Sequence, residues 1–366
     1  MRIGVPKEAA ANERRVALTP DVAGRLKKSG FEVMIERGAG TAAFFPDEAY
    51  TAAGAAVSDR NAVLQSDIVL QVQGPVAAEV PRYREGGAVV ASFQPGADPA
   101  LVRQLAQQKL TAFSLVLLPR ITRAQPMDVL SSQATVAGYK AVLLAASAIG
   151  KLLPMLVTAA GTLSAARVLV LGAGVAGLQA IATARRLGAI VFAFDVRPAV
   201  KEQVQSLGAS FLEMAIEEHA ETAGGYAKEL SEETHRKELA FLAGAVKDAD
   251  IVIATAAIPG KKAPVLITGA AVQGMKPGSV IVDLAAETGG NCELTQAGAE
   301  IVLNGVAILG PLNLASTVPL HASQMYAKNV SAFLGHIVQD GRLRLDFEDP
   351  IIRETCVTHA GEVRKS

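Results

Sequence analysis

Three glycines and one acid carry the clearest chemical signal in the chain. Gly172, Gly174 and Gly177 stand at the G-x-G-x-x-G spacing within VLVLGAGVAGLQAIATARRLGAIVFAFD, a stretch that ends in Asp195. At that spacing the first glycine permits a tight turn, the second lets the backbone approach a diphosphate, and the third lets a helix pack closely on a strand. An acid at Asp195 accepts from adenosine ribose hydroxyls and repels a 2′-phosphate, which favours NAD(H) over NADP(H). The glycines alone also fit an ordinary turn of an α/β protein, so their weight rests on the elements that position them.

Those elements are in place. Residues 168–171 form a short apolar run suited to a buried strand, a helix over 175–187 would turn its N-terminal N–H groups towards the diphosphate, and residues 190–194 give a second strand. Further strands are expected at 250–254, 279–283 and 305–309. The N-terminal third repeats the alternation, with strands at 2–5, 31–36, 68–72, 88–92 and 111–116 and helices at 22–28, 47–53 and 98–108. Strands alternating with helices predict parallel sheets with right-handed crossovers. Long helices at 133–146 and 319–338 bracket the nucleotide half. The expected fold is therefore α/β, with two Rossmann-like, doubly wound parallel-sheet domains of which the first is discontinuous. The boundaries expected are 1–132 plus 315–366 for the first and 133–314 for the second.

Composition narrows the function classes. The chain has 366 residues, and its 35 Lys+Arg balance its 35 Asp+Glu, so no global basic field exists to hold nucleic acid. Trp is absent and aromatics are only 4%, which also argues against a base-stacking platform. No uninterrupted apolar run of membrane-spanning length is present, and the start lacks a signal-peptide pattern. Cys292 and Cys356 suit neither a disulfide framework nor a metal site, so no metal is expected and a reduced, cytoplasmic setting is.

Two segments break the regular alternation. In RITRAQPMDVLSSQATVAGYK, polar groups crowd a loop before a helix, and Arg120, Arg123, Gln125, Asp128, Ser131 and Ser132 form either a hydrogen-bonded cluster or a plain capping loop. Residues 201–246 are long and polar and hold room for a mobile insertion, expected near 217–238, with Gly224 and Gly225 as its hinge. There Tyr226 is either a transient contact for a flat ligand or incidental. The five histidines, His219, His235, His321, His336 and His359, lie in that insertion or the C-terminal quarter, and none is expected at a strand end of the first domain, where a general acid or base would be needed.

Over nearly its full length the chain resembles the soluble NAD(H)-binding component, the first domain of the alpha subunit, of proton-translocating nicotinamide nucleotide transhydrogenases, a family itself similar to alanine dehydrogenase. The resemblance is carried by VPKE, RVALTP, PRITRAQPMDVLSSQATVAGYKA, TAAGTLSAARVLVLGAGVAGLQAIATARRLGA, ETAGGYAKE, IPGKKAPVLIT, MKPGSVIVDLAAETGGNC and TCVTHAGEV. It implies that Arg120, Gln125, Asp128 and Ser131, the RxxxxQxxDxxS pattern, hold the nicotinamide, its carboxamide and ribose. Pro126 stands where a serine is expected. It also implies nucleotide contacts at Val175, Ala176, Val196, Arg197, Thr255, Ala256 and Asn313, and a closing role for Tyr226.

Two departures separate the relatives. Gln73 and Gln94 stand where alanine dehydrogenases resemble one another in having a catalytic lysine and histidine, and glutamine cannot do acid–base work. Arg15, retained, could bind a carboxylate without turning it over. Hydride transfer between two nicotinamides moves no proton at the reacting carbons, so it asks for positioning and exclusion of water rather than an acid. The resemblance further implies NADP(H) on a partner subunit, proton translocation in a membrane partner, a homodimer, and a peripheral place on the inner face of the cell membrane. No apolar segment follows Ser366, so the form with separate membrane chains is expected. An alanine-type amino-acid dehydrogenase and a non-catalytic NAD-sensing module are the competing readings.

Overall fold

The structure is a computed structural model that describes residues 1–214, 231–258 and 261–365. The chain divides into two units, Met1–Gln133 with Ala315–Ser366, and Ala134–Leu314.

The first unit is built on one eight-stranded sheet. From edge to edge its strands are Glu362–Val363, Cys356–His359, Thr111–Ser114, Ala88–Ser92, Ile68–Gln73, Arg2–Val5, Glu32–Glu36 and Ala56–Ser58. The six N-terminal strands run parallel. Because side chains alternate across a strand, each strand feeds two cores. Ile68, Leu70 and Val72 join Val22 and Leu26 of helix Pro20–Lys28 and Val330 and Phe333 of helix Pro319–Ile337 on one face. Val69, Val89 and Ala112 join Val102 and Leu105 of helix Pro99–Gln107 on the other. Strand order reverses between Arg2–Val5 and Ile68–Gln73.

The second unit has a seven-stranded sheet in the order Ser210–Phe211, Ile190–Phe194, Arg167–Leu171, Ile251–Ala254, Val280–Asp283, Val306–Leu309 and Glu300–Leu303. Val168, Val170, Ile251 and Ile253 pack with Ala180, Ile181 and Ala184 of helix Val175–Arg186. The alternate residues Leu169, Leu171 and Val252 pack with Leu242 and Val246 of helix Glu232–Asp248. Both sheets are thus covered on both faces, as expected from the doubly wound pattern. In this sheet the order reverses between Arg167–Leu171 and Ile251–Ala254, and in open parallel sheets ligands bind outside the carboxyl ends of strands at such a reversal.

The structure adds antiparallel hairpins that a parallel reading does not contain. Glu300–Leu303 pairs antiparallel with Val306–Leu309 across Asn304 and Gly305, both at positive φ. Ala360 and Gly361 turn the C-terminal hairpin in the same way, and Cys356–His359 runs antiparallel to Thr111–Ser114. Positive φ at both central residues is the two-residue turn whose twist matches that of the flanking strands.

The helix expected at 133–146 runs over Val129–Ala148. By length and composition it could cross a membrane. It carries Lys140 at mid-length, and Ala141, Val142 and Ala145 are core residues of the second unit. Gly138 on this helix lies so close to the start of helix Val175–Arg186 that a Cβ there would stand 2.1 Å from the Ala176 carbonyl oxygen. The obstacle is backbone and cannot rotate away. Gly138→Ala is expected to destabilise the chain by roughly 1–3 kcal/mol, as overpacking does, and to weaken NADH binding by displacing the glycine turn. Denaturant unfolding and an NADH titration check both, and an unchanged midpoint would show that the two helices are not in register-critical contact.

Candidate functional site

The glycine turn follows strand Arg167–Leu171 and leads into helix Val175–Arg186. Gly172 has φ +91°, a left-handed conformation open to glycine at little cost. A Cβ on Gly177 would fall 1.8 Å from the Gly172 carbonyl oxygen, so only glycine lets the helix begin this close to the strand end. At Gly174 a Cβ would meet nothing within 4 Å. Here the backbone faces open space, and the first-turn N–H groups at Val175, Ala176 and Gly177 have no acceptor within their own helix. An open cradle lined by such donors suits a diphosphate.

Neighbouring strands hold the turn. Thr255, just after strand Ile251–Ala254, donates its hydroxyl to the carbonyls of Gly172 (2.9 Å) and Leu171 (3.2 Å). Ala256 accepts from the Asn291 side-chain amide at 2.9 Å. Asn291 is itself held by Asp283, a fully buried carboxylate that takes the N–H groups of Ala285, Asn291 and Cys292 and the Thr295 hydroxyl. Asn313 has φ +45° and donates its N–H to Glu287 at 2.6 Å. Val175, Ala176 and Val196 are partly exposed. Tyr226 and His219 lie outside the described residues.

Asp195 has partners within the chain. It is nearly buried, and its carboxylate takes the Ala173 N–H at 2.7 Å and the Arg197 N–H at 2.9 Å. The Arg197 guanidinium also grips it, Nε at 2.9 Å and Nη2 at 2.7 Å. The acid expected to await a ribose is in this structure fully engaged by the chain's own donors.

In the first unit several side chains of the 120–132 segment reach different partners. Residues Thr122–Met127 make a 3₁₀ turn, and Asp128 then caps helix Val129–Ala148, accepting the Ser131 N–H at 2.9 Å and the Ser131 hydroxyl at 2.6 Å. Gln125 is exposed and Arg120 is exposed. Arg123 instead pairs with Asp349, which also meets His336 at 2.8 Å, and Ser132 donates to the Val129 carbonyl. Asn329 on helix Pro319–Ile337 donates to the Pro126 carbonyl at 2.7 Å and so fixes the 3₁₀ turn. Nothing in the sequence points from Asn329 to a proline some two hundred residues earlier.

Where strand order reverses in the first unit, the chain fills the place itself. Glu8 accepts the N–H groups of Val72 (2.6 Å) and Gln73 (3.1 Å). The Gln73 side chain donates to Glu13 at 2.8 Å, and Glu13 holds Arg15 through Nε at 2.8 Å and Nη2 at 2.6 Å, while Arg15 Nη1 reaches Gln133 at 2.8 Å. Arg15 is buried and engaged, and Gln94 lies exposed on a neighbouring loop. His359 corrects the histidine expectation, since it does end a strand of the first sheet. It meets the Thr111 hydroxyl at 3.1 Å, however, at the start of strand Thr111–Ser114 and so at the sheet edge away from the strands' carboxyl ends. Among the described residues no group of three or more His, Cys, Asp or Glu could hold a metal.

Comparison with known proteins agrees in both units. The alanine dehydrogenase/PNT N-terminal domain matches residues 4–137 and the C-terminal domain of the same family residues 141–366. The NAD(P) transhydrogenase alpha subunit of Rhodospirillum rubrum, in the chain that forms its first portion, is 48% identical over 374 residues, covering 99% of this chain and 97% of that protein. Alanine dehydrogenase of Bacillus subtilis is 32% identical over 299 residues, covering 80% and 72%. The crystal structure of transhydrogenase from Sinorhizobium meliloti superposes with a TM-score of 0.90 at 46% identity, covering 99% and 100%.

The cluster at Glu8 has a consequence for pH. Burial, with the charge of Glu13 adding to it, pushes the Glu8 carboxyl up to about 7, against the lowering effect of the two backbone N–H bonds and Arg15. A carboxyl raised on folding binds its proton more tightly in the folded state, so its contribution is fully present below the unfolded value and is lost as pH rises through the folded one. Relative to Glu8→Gln, the wild type is expected to lose stability between about pH 5 and 8. Urea unfolding of both proteins across that range checks it, and parallel curves would show that Glu8 is ionised throughout.

Proposed function

Because the chain belongs to the alanine dehydrogenase/PNT family, we propose that it is the NAD(H)-binding component of a proton-translocating transhydrogenase. In this reading hydride passes between NADH held here and NADP+ held on a partner subunit, and a membrane partner couples the exchange to proton translocation. The turn at Gly172, Gly174 and Gly177 takes the diphosphate, and Asp195 the adenosine ribose. Arg120, Gln125, Asp128 and Ser131 orient the nicotinamide, its carboxamide and ribose. Tyr226 closes over the nucleotide.

Gln73 carries the choice between the two family activities. Oxidising an amine or alcohol requires a group that takes a proton, and at this position the side chain is an amide hydrogen-bonded to Glu13, which in turn holds Arg15. Direct hydride exchange needs no such group. It needs the reacting carbons held in contact and water kept out. The alanine-type activity is the second reading, and formation of pyruvate from alanine with NAD+ by the chain alone would establish it. A non-catalytic NAD-sensing module is the third.

For the assembly, we propose a homodimer that sits on the inner face of the cell membrane through its partner subunits. A two-stranded hairpin, Leu156–Thr158 with Gly161–Leu163, exposes apolar side chains on both of its faces, Val157 (73%) on one and Leu163 (52%), paired with Leu156, on the other, with Met155 (62%) just before it. Apolar groups exposed in that number on one short hairpin mark a contact surface.

Two measurements test these readings. Mixed with a transhydrogenase NADP(H)-binding domain, the chain should exchange hydride between NADH and an NADP analogue, and no exchange would favour the sensing module. In that assay Asp128→Asn should slow single-turnover transfer by about tenfold or more, a barrier rise of ~1.4 kcal/mol, with little change in NADH affinity. Asparagine still caps the helix, so an unchanged rate would take Asp128 out of the reaction. Separately, Val157→Asp should shift the chain towards monomer in sedimentation, and an unaltered profile would place the contact elsewhere.

A further inference from the structure

The Asp195–Arg197 pair bears on which nucleotide the site takes. An ionised carboxylate offers about four lone-pair positions, and at Asp195 four N–H groups fill them. Two of the donors are backbone, from Ala173 inside the glycine turn and from Arg197 itself. They belong to the fold of the turn and stay. The other two come from the Arg197 guanidinium, whose planar fork engages both oxygens, Nε to Oδ1 and Nη2 to Oδ2. A ribose diol that is to be read by this carboxylate must donate to positions the guanidinium now holds.

Other charges nearby sharpen the effect. Glu238, on helix Glu232–Asp248, is buried and bonded to His235 at 2.8 Å. Burial pushes its carboxyl up, the His235 bond draws it back, and the charge of Asp195 adds to the rise. Two acids therefore stand near each other at this end of the site, and Arg197 is the cation that bonds directly to Asp195. With the fork closed, the negative charge that should turn away a 2′-phosphate is offset. With the fork open, a guanidinium well shaped for phosphate is left beside the ribose.

We propose that Arg197 is a specificity-determining residue: it occupies the ribose-reading carboxylate of Asp195, must leave it when the nucleotide binds, and thereby weakens NAD(H) binding while aiding NADP(H). This rests on the reading of the glycine turn and Asp195 as the NAD(H) site. Removing the guanidinium leaves Asp195 held by two backbone donors with two positions open to the diol. It also leaves Asp195 facing a 2′-phosphate without its counter-charge.

The test is equilibrium titration of the full chain with NADH and with NADPH, by nucleotide fluorescence. Arg197→Ala should bind NADH at least about threefold more tightly and NADPH at least about threefold more weakly than wild type, widening the preference by about tenfold. Arg197→Lys keeps the charge but cannot fork, so it should tighten NADH while leaving NADPH near the wild-type value. NADH binding by Arg197→Ala that is equal to or weaker than wild type would overturn the proposal, as would an unaltered NADH-to-NADPH ratio. If Arg197→Ala unfolds, the Lys variant decides on the NADH measurement alone. A wild-type chain that binds no NADH would instead remove the nucleotide reading itself, so the two failures are distinguishable.

Discussion

The second unit depends on one close contact, that of Gly177 with the Gly172 carbonyl. A helix that starts this near the end of a strand brings its first-turn N–H groups to the carboxyl edge of the sheet, where the strand order reverses. The turn is then fixed from the side by the Thr255 hydroxyl on the Gly172 and Leu171 carbonyls, and from below by Gly138, whose lack of a side chain lets a neighbouring helix touch the Ala176 carbonyl. Thr255 follows the strand that begins the other half of the sheet. The reversal point is thus stitched across, and the one position left open is Gly174. The donors are held before any ligand arrives, so the ordering cost falls on folding rather than on binding.

The first unit shows what the same topology does without that contact. Its parallel strands follow the same order, 3-2-1-4-5-6 in sequence terms, yet its first strand leads into PKE rather than into a glycine turn, and the next helix starts only at Pro20. The backbone N–H groups exposed at the reversal, those of Val72 and Gln73, are met by the chain's own Glu8. An internal carboxylate occupies the place that an anionic ligand would take in the other unit. Beside it, Glu13 neutralises Arg15. A site closed by its own side chains holds its donors away from a foreign carboxylate.

Much of this is legible in the sequence because it follows from local rules. The parallel strands announce themselves as short apolar runs, and the glycine spacing locates the turn. The hairpins are equally local, Asn304-Gly305 being the standard two-residue signal, but the alternation of strands with helices along the rest of the chain hides them. Other features depend on contacts between residues far apart in sequence and leave no local trace. Asn329 holding Pro126, Asp349 drawing Arg123 away from the 120–132 segment, and Gly138 against Ala176 are of that kind. The saturation of Asp195 lies in between. Arg197 is only two residues away, but a sequence gives the spacing of an arginine and an acid, not the geometry that makes them a fork.

The two reversal points also bear on how one family holds both alanine dehydrogenases and transhydrogenase alpha subunits. Binding of the dinucleotide is carried by backbone geometry in the second unit, which side-chain exchange elsewhere leaves intact. Acid–base work, in contrast, rests on single side chains, and the Gln73 amide sits in the first sheet without disturbing it, since its backbone N–H donates to Glu8 and its side chain to Glu13. What remains common to the family is the glycine turn of the second unit, which the Thr255 hydroxyl holds in place whatever side chain stands at Gln73.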